Sequence, residues 1–296
     1  MLQDLRLSRQ LEELNIRANR LGVVAELSAS LAHEIKNPLA SIRSAVEQIG
    51  DPESEPADRE TLTRLVIREA DRLSRLLGEF NDFARVNVAE RKPIDLRRVV
   101  REAVEMVAQR PEAHDRARFD VEIDDGLDDL WGDPDLVHRT LTNLMLNAVQ
   151  VSDQESSVTV RIIADALSPD VAPVGIGAWM PVRVRVIDDG PGIQPEDLGR
   201  IFDPFYTRRQ GGSGMGLAIA HRAIQAHGGA LLVSSTPGNG ATFVVILPRR
   251  EPKARKSFES AGGEDRLVER DPGGLAPRTA HPDESAALDG MADRLA

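Results

Sequence analysis

Apolar residues return every seventh position through the first fifty residues. Leu14, Leu21, Ile35, Ile42 and Ile49 form one column, broken by Ser28, and Val24, Leu31 and Ala45 form a second. Two columns with this spacing make a heptad seam, the mark of a helix that packs lengthwise on other helices. Gly50-Asp51-Pro52 breaks the pattern, and the polar stretch to Pro56 reads as a turn. A second helix is expected from near Asp58 to about Ala84, with Val66, Leu73 and Phe80 in one column and Leu62, Leu76 and Phe83 in the other. Two antiparallel helices with one stripe each leave apolar surface bare. Pairing two hairpins into a four-helix bundle covers it, so a homodimer is expected.

The texture changes at Pro93. A helix is expected from about Leu96 to Ala108 and a strand at Phe119–Ile123. Asp133 has the chemistry of an N-cap with Pro134 behind it, opening a helix to about Val151. Strands are expected at Val158–Ile163 and Val182–Ile187, flanking a loop around Ser168–Pro181. A helix from Met215 to Ala226 follows, then strands at Leu231–Ser234 and Thr242–Leu247. Helices mixed with a largely antiparallel sheet give an α+β layer. After Pro248 the periodicity stops, and residues 251–296 read as a disordered tail, with Ala286–Leu295 spaced for a short helix on a partner. The fold class is therefore multidomain. A helical lead over 1–20 precedes an all-α hairpin over 21–90, an α+β sandwich over 91–250 and the tail.

Composition narrows the function. The chain has 296 residues, enough for about two domains at roughly 150 each, and its 37 basic and 48 acidic residues leave a net charge of −11. That balance argues against coating nucleic acid or an anionic membrane. With no cysteine there are no disulfides, thiolate metal sites or cysteine nucleophiles. No apolar run approaches the roughly 18 residues of a membrane span, and Met1 is not followed by a signal-peptide pattern, so a cytoplasmic location is expected.

Six histidines occur. His114, His138, His221, His227 and His281 have no paired chemistry nearby and read as ordinary surface or core residues. His33 differs. With Leu31 and Ile35 on the seam as d and a, it falls at f, the most exposed heptad position, where an imidazole contributes nothing to packing but is open to reaction. Asn37 lies one turn later on the same face, Glu34 is adjacent, and Pro38 removes one backbone donor.

Three further clusters follow. Asn143 and Asn147 share one face of a helix, and an amide oxygen suits a hydrated Mg²⁺ that bridges phosphates. Asp188-Asp189-Gly190-Pro191-Gly192 ends a strand with glycines for a sharp turn and an aspartate able to accept from an exocyclic amine. Gly211-Gly212-Ser213-Gly214-Met215-Gly216-Leu217 leads into a helix, so its amides make an anion site. No lysine follows the glycines as in a P-loop, and no first strand of a βαβ unit precedes them.

The string Leu31-Ala-His33-Glu34-Ile-Lys-Asn37-Pro38-Leu39 closely resembles the phosphoacceptor box of bacterial two-component sensor histidine kinases. The later clusters, in order, resemble the ATP-binding domain that those kinases share with DNA gyrase, a heat-shock chaperone and mismatch-repair ATPases. The resemblance covers about residues 20–248 and implies a dimerisation and phosphotransfer domain followed by a catalytic ATP-binding domain. It implies that His33 accepts the phosphoryl group, that Glu34 polarises the imidazole proton and that Asn37 positions water for a phosphatase reaction. Asn143 and Asn147 match the asparagine box, with Mg²⁺ on Asn147. Asp188, Gly190 and Gly192 match the first glycine box, Phe202 and Phe205 the phenylalanine box, and Gly212, Gly214 and Gly216 the second glycine box, entering the helix at Leu217. Gly238 and Gly240, followed by Thr242, match the last. ATP and Mg²⁺ are the implied cofactors, and a response-regulator receiver domain is the implied partner.

Two departures bear on chemistry. Hydrolases of the group carry a glutamate where this chain has Asn143, and an amide is no general base at neutral pH, which favours transfer to His33 over water attack. Many histidine kinases carry a lysine where this chain has Gln150. A glutamine there is similar to the nitrogen-regulation sensor kinase branch, and phosphate charge is then left to Arg208 or Arg209 in a lid-like loop. Two alternatives stand beside the kinase: a catalytically weak dimeric docking or phosphatase protein of the same fold, and a partner-activated ATPase. The short lead before Leu21 holds no sensor domain, so the input is expected on a separate protein or on a missing N-terminal sensor.

Overall fold

The structure, a computed structural model, describes residues 29–249 except 53–54, 89–90, 128–129, 152–156, 169–180 and 210. The helical lead, the first heptads, most of the loop between Ser168 and Pro181, and the tail fall outside the described residues.

Residues 29–49 form α1, and α2 spans Pro56–Arg85. The seam lies where the heptads put it. Leu31, Ile35, Ile42 and Ile49 are half-buried, and Pro38 and Ala45 are buried between them. On α2, Leu76 and Phe83 are buried and Leu62, Val66, Leu73 and Phe80 half-buried. Arg59 donates to the Asp51 carbonyl (2.9 Å), and Arg72 pairs with Glu34 of α1 (3.6 Å). Partner numbers that rise on one helix while falling on the other define an antiparallel hairpin. Pro38 does not interrupt α1, although it supplies no N–H to the preceding turn. Leu39 (49% exposed), Val46 (53%), Ile67 (56%) and Leu77 (50%) stay outside the hairpin's own seam.

The remaining elements are β1 (Lys92–Pro93), α3 (Leu96–Ala108), β2 (Ala117–Ile123), β3 (Trp131–Gly132), α4 (Pro134–Val151), β4 (Val158–Ala166), β5 (Val182–Asp188), α5 (Pro195–Leu198), α6 (Gly216–Ala226), β6 (Ala230–Ser235) and β7 (Ala241–Leu247). The Asp133 carboxylate takes the N–H groups of Asp135 (3.0 Å) and Leu136 (3.2 Å), so it opens α4 as its chemistry dictates. The five-stranded sheet has the order β2-β4-β5-β7-β6; β2 pairs with β4 in parallel and the other pairs are antiparallel. Alternate residues Val158, Val160, Ile162 and Ala164, then Val182, Val184 and Val186, then Ala241, Phe243, Val245 and Leu247 are buried. They form one core with Val100, Ala103 and Val107 of α3, Leu141, Leu144 and Met145 of α4, and Ala220 and Ile224 of α6. The opposite face carries Arg161, Asp165, Arg183 and Arg185, with both Arg183 and Arg185 paired to Asp165. This one-sided burial is what an antiparallel sheet with helices on one face requires.

The short pair β1–β3 and the single turn α5 were not legible as elements, because two to four residues carry no periodicity. The segment that joins α2 to β1 is tied at both ends: Val86 is buried with Phe83, Met215, Ala218, Ile219 and Ala223. At the other end Pro93 pairs with Trp131, and the Ile94 N–H donates to the Leu130 carbonyl (2.8 Å). Arg139 of α4 bonds Asp82 of α2, and the Arg222 guanidinium lies 4.8 Å from the centre of the Phe83 ring. Movement of the hairpin against the sheet layer therefore costs buried apolar contact and a charge pair.

His227, at the end of α6, is buried. Its Nε2 accepts the Asp133 N–H (2.9 Å) and its Nδ1–H donates to the Ala223 carbonyl (2.7 Å), which fixes a neutral tautomer. Burial lowers its pKa from the ordinary 6.5. The unfolded chain then takes up a proton at a pH where the folded chain does not, and stability falls as pH drops below about 6.5. Calorimetric melting temperatures from about pH 7.5 to about 5 should show that fall in the wild type and a shallower one in H227N.

Candidate active site

The site has two sides. On α1, His33 and Asn37 are exposed on one face. Glu34, beside His33, is half-buried and paired with Arg72, which also reaches Glu69 (3.6 Å). A groove of about 610 Å³ separates this turn from the segment after α5; Ser30, His33 and Glu34 line one wall, and Arg200, Asp203, Phe205 and Tyr206 the other. Neither Asn147 nor the glycines of 211–216 line it. The structure thus brings His33 to the phenylalanine segment and leaves the asparagine and glycine clusters elsewhere on the sheet layer.

The second side is built around the end of β5. Asp188 Oδ1 accepts the N–H groups of Gly190 (3.0 Å) and Ala241 (3.2 Å), which leaves Oδ2 for a ligand. Gly240 makes the approach possible: it sits at φ +73°, and a Cβ there would overlap the Asp188 carbonyl oxygen. Ser235 accepts the Ile193 N–H (2.8 Å) and donates to the Gly240 carbonyl (2.6 Å), tying the turn of Gly190 and Gly192 to that of Gly238 and Gly240. Thr242 continues β7 opposite Ile187. Burial raises the Asp188 pKa above its ordinary value, against the two backbone bonds that lower it.

On α4, the two asparagines have different surroundings. Asn143 donates through Nδ2 to the Gly216 carbonyl (3.0 Å), bracing α4 against the start of α6. Asn147, one turn on, is half-buried. Gln150 accepts a bond from Arg209, reaching across from the loop between Phe205 and Gly214. Phe205 stands at φ +68° and its N–H donates to the Gly214 carbonyl (3.1 Å), closing the base of that loop. Gly214 is itself at φ +68°, and any side chain there would strike the Phe205–Tyr206 peptide. Phe202 turns inward and stacks on His221, with ring centres 4.9 Å apart. Leu217, in the first turn of α6, packs on the core, and Gly212 lies in the approach to it.

The arginine pair resolves differently from its symmetric reading. Arg208 donates to Asp197 from Nη2 (2.7 Å) and Nε (3.0 Å) and lies 3.6 Å from Glu196, so it is spent on protein carboxylates. Arg209 is the one laid beside the asparagine helix. Arg72, Asp197, Tyr206 and Ser235 are site residues that sequence reasoning missed. Each works through a partner distant in sequence or on another element, and no local spacing announces it.

Set against known proteins, residues 24–88 match the His Kinase A (phospho-acceptor) domain. Residues 132–251 match the histidine kinase-, DNA gyrase B- and HSP90-like ATPase domain. The two matches run in the order of a phospho-acceptor domain followed by a histidine kinase-type ATPase domain. It is similar to the sensor histidine kinase ZraS of Klebsiella oxytoca, 34% identical over 81% of this chain and 49% of that protein. It is also similar to the sensory histidine kinase/phosphatase NtrB of Rhodobacter capsulatus, 33% identical over 75% of this chain and 61% of that protein. Among solved structures, the histidine kinase ThkA in complex with the response regulator protein TrrA superposes with a TM-score of 0.58 at 25% identity, over 81% of this chain and 66% of that one. The chain spans about half the length of the ZraS relatives it matches. No helix among the described residues is long and apolar enough to cross a membrane.

If Asp188 Oδ2 accepts the adenine amine, D188N should weaken ADP binding about tenfold or more, as loss of a bond to a charged acceptor does. Because burial raises the Asp188 pKa, wild-type affinity should begin to fall at a higher pH than for an ordinary carboxylate as acid is added. Titration calorimetry with ADP across pH checks both.

Proposed function

We propose that the chain is a dimeric protein histidine kinase that phosphorylates His33 from ATP and passes the phosphoryl group to an aspartate of a response regulator. The observation that carries this reading is the pairing of an exposed imidazole with a nucleotide cradle that has an amide where a hydrolase needs a base. Asn143 donates to a backbone carbonyl and has no means of taking a proton from water. Asp188 reads the adenine amine, the start of α6 with Gly212, Gly214 and Gly216 meets the phosphates, and Arg209 on Gln150 neutralises charge at the terminal phosphate. The half-buried carboxamide of Asn147 is a hard-oxygen donor of the kind Mg²⁺ accepts, and the ion, when bound, supplies charge neutralisation across the phosphates. Transfer breaks the bond from the terminal phosphorus to the bridging oxygen and forms one to a ring nitrogen of His33, so positioning and charge account for most of the catalysis.

His33 faces the phenylalanine segment rather than the glycine loop, so transfer requires the sheet layer to shift on the hairpin, releasing Phe83 and Val86 from α6. Glu34, held by Arg72, polarises the imidazole, and Asn37 orients water in a reverse phosphatase step, an activity for which the similar histidine kinase/phosphatase NtrB is named. The half-exposed Leu39, Val46, Ile67 and Leu77 favour a second hairpin as the cover that completes a four-helix bundle. The signal is read elsewhere, on a separate protein or a sensor joined to this region, and the reaction runs in the cytoplasm. Incubation with γ-labelled ATP and Mg²⁺ should give an acid-labile, alkali-stable label that H33Q lacks while still binding nucleotide. A label retained in H33Q would overturn the assignment. Nucleotide binding with no label in the wild type would favour the docking or phosphatase reading.

A further inference from the structure

One residue outside every expected motif fastens the loop between the phenylalanine and glycine segments. Asp197, in the single turn α5, is 6% exposed. Its Oδ1 accepts the Tyr206 hydroxyl and two N–H groups of Arg208, Nη2 at 2.7 Å and Nε at 3.0 Å. Arg200 lies over the face of the Tyr206 ring, 4.4 Å from its centre, so the ring is held at both its edge and its face. The next residues reverse direction. Thr207 Oγ1 accepts the Arg209 N–H (3.1 Å), and the Arg209 guanidinium crosses to Gln150.

Two consecutive arginines are thus sent to opposite sides, and the carboxylate of Asp197 does the sorting. Charge-assisted bonds to a carboxylate shielded from water are stronger and more directional than those to solvent. Without them Arg208 becomes a second free cation and the stretch Tyr206–Arg209 loses its register. The hydrogen bond from Tyr206, with support from Arg208, holds the Asp197 pKa below its ordinary value.

We propose that Asp197 is a positioning residue for ATP: by fastening Tyr206 and Arg208 it sets the loop in the register that presents Arg209 at the terminal phosphate. The proposal rests on the reading of Arg209 as the phosphate contact, and the experiment separates the two.

Dissociation constants for ATP and for ADP are measured on the full chain by displacement of a fluorescent nucleotide, for D197N, R208Q, R209Q and the double variant D197N/R208Q. ADP lacks the terminal phosphate, so the ATP-to-ADP affinity ratio reports that contact alone. R209Q should lower the ratio about tenfold, the scale of one charge-assisted bond. D197N and R208Q should each lower it several-fold, with ADP affinity nearly unchanged, and the double variant should fall no further than the worse single one. Arg208 has a mostly exposed side chain, so R208Q tests the fastening even if D197N folds poorly. A lowered ratio in R209Q with an unchanged ratio in R208Q overturns the role of Asp197. Equal losses of ATP and ADP affinity in D197N, with R208Q silent, mark a purely structural residue and overturn it too. An unchanged ratio in R209Q overturns the underlying Arg209 reading.

Discussion

The contact on which the arrangement depends is the packing of Met215, Ala218 and Ile219 against Phe83 and Val86. Through it α6 has two roles. Its N-terminal turn follows the glycine segment and is braced by Asn143, while the same turn supplies the apolar surface that receives the end of α2. A change in how α2 sits is felt directly at the residues that flank the proposed nucleotide cradle, because the end of α2 packs on α6 itself. The Asp82–Arg139 pair reinforces the joint from α4, so both helices that build the cradle are held to the hairpin. Packed interfaces of this kind have discrete arrangements rather than a continuum, which gives the joint the character of a two-position coupling.

Sequence reading succeeded where the chemistry is local. Asp133-Pro134 opened α4 at the residue where the structure opens it, since a cap and its proline need only their own neighbours. Leu96–Ala108 and the strands β4 to β7 were legible to within a few residues because their apolar periods are long enough to count. The heptads of α1 placed His33 on the exposed face, and it is there. The Asp188 turn and its glycines were legible as a chemical unit, although the Ser235 bridge between the two turns was not.

What escaped was pairing at a distance. Tyr206 and Arg208 sit nine and eleven positions beyond Asp197, and the successive turns from Asp197 to Tyr206 fold the chain back so that they meet. Arg72 and Glu34 come together because the hairpin is antiparallel, and Arg139 and Asp82 because α4 passes the end of α2. Seen in sequence, each is one charged residue among many on a solvated helix face. The linker escaped for a related reason: Val86 looks like a stray apolar residue in a polar stretch until α6 is placed beneath it.

Pro38 has a mechanical consequence. It is buried in the seam and α1 runs through it unbroken, but it offers no N–H to the Glu34 carbonyl one turn earlier. The helix therefore lacks one rung of its ladder in the turn that begins just after His33. A rod missing a rung is most compliant there, so torsion applied to the leading end of α1 concentrates in the turn after His33 instead of spreading evenly along the helix.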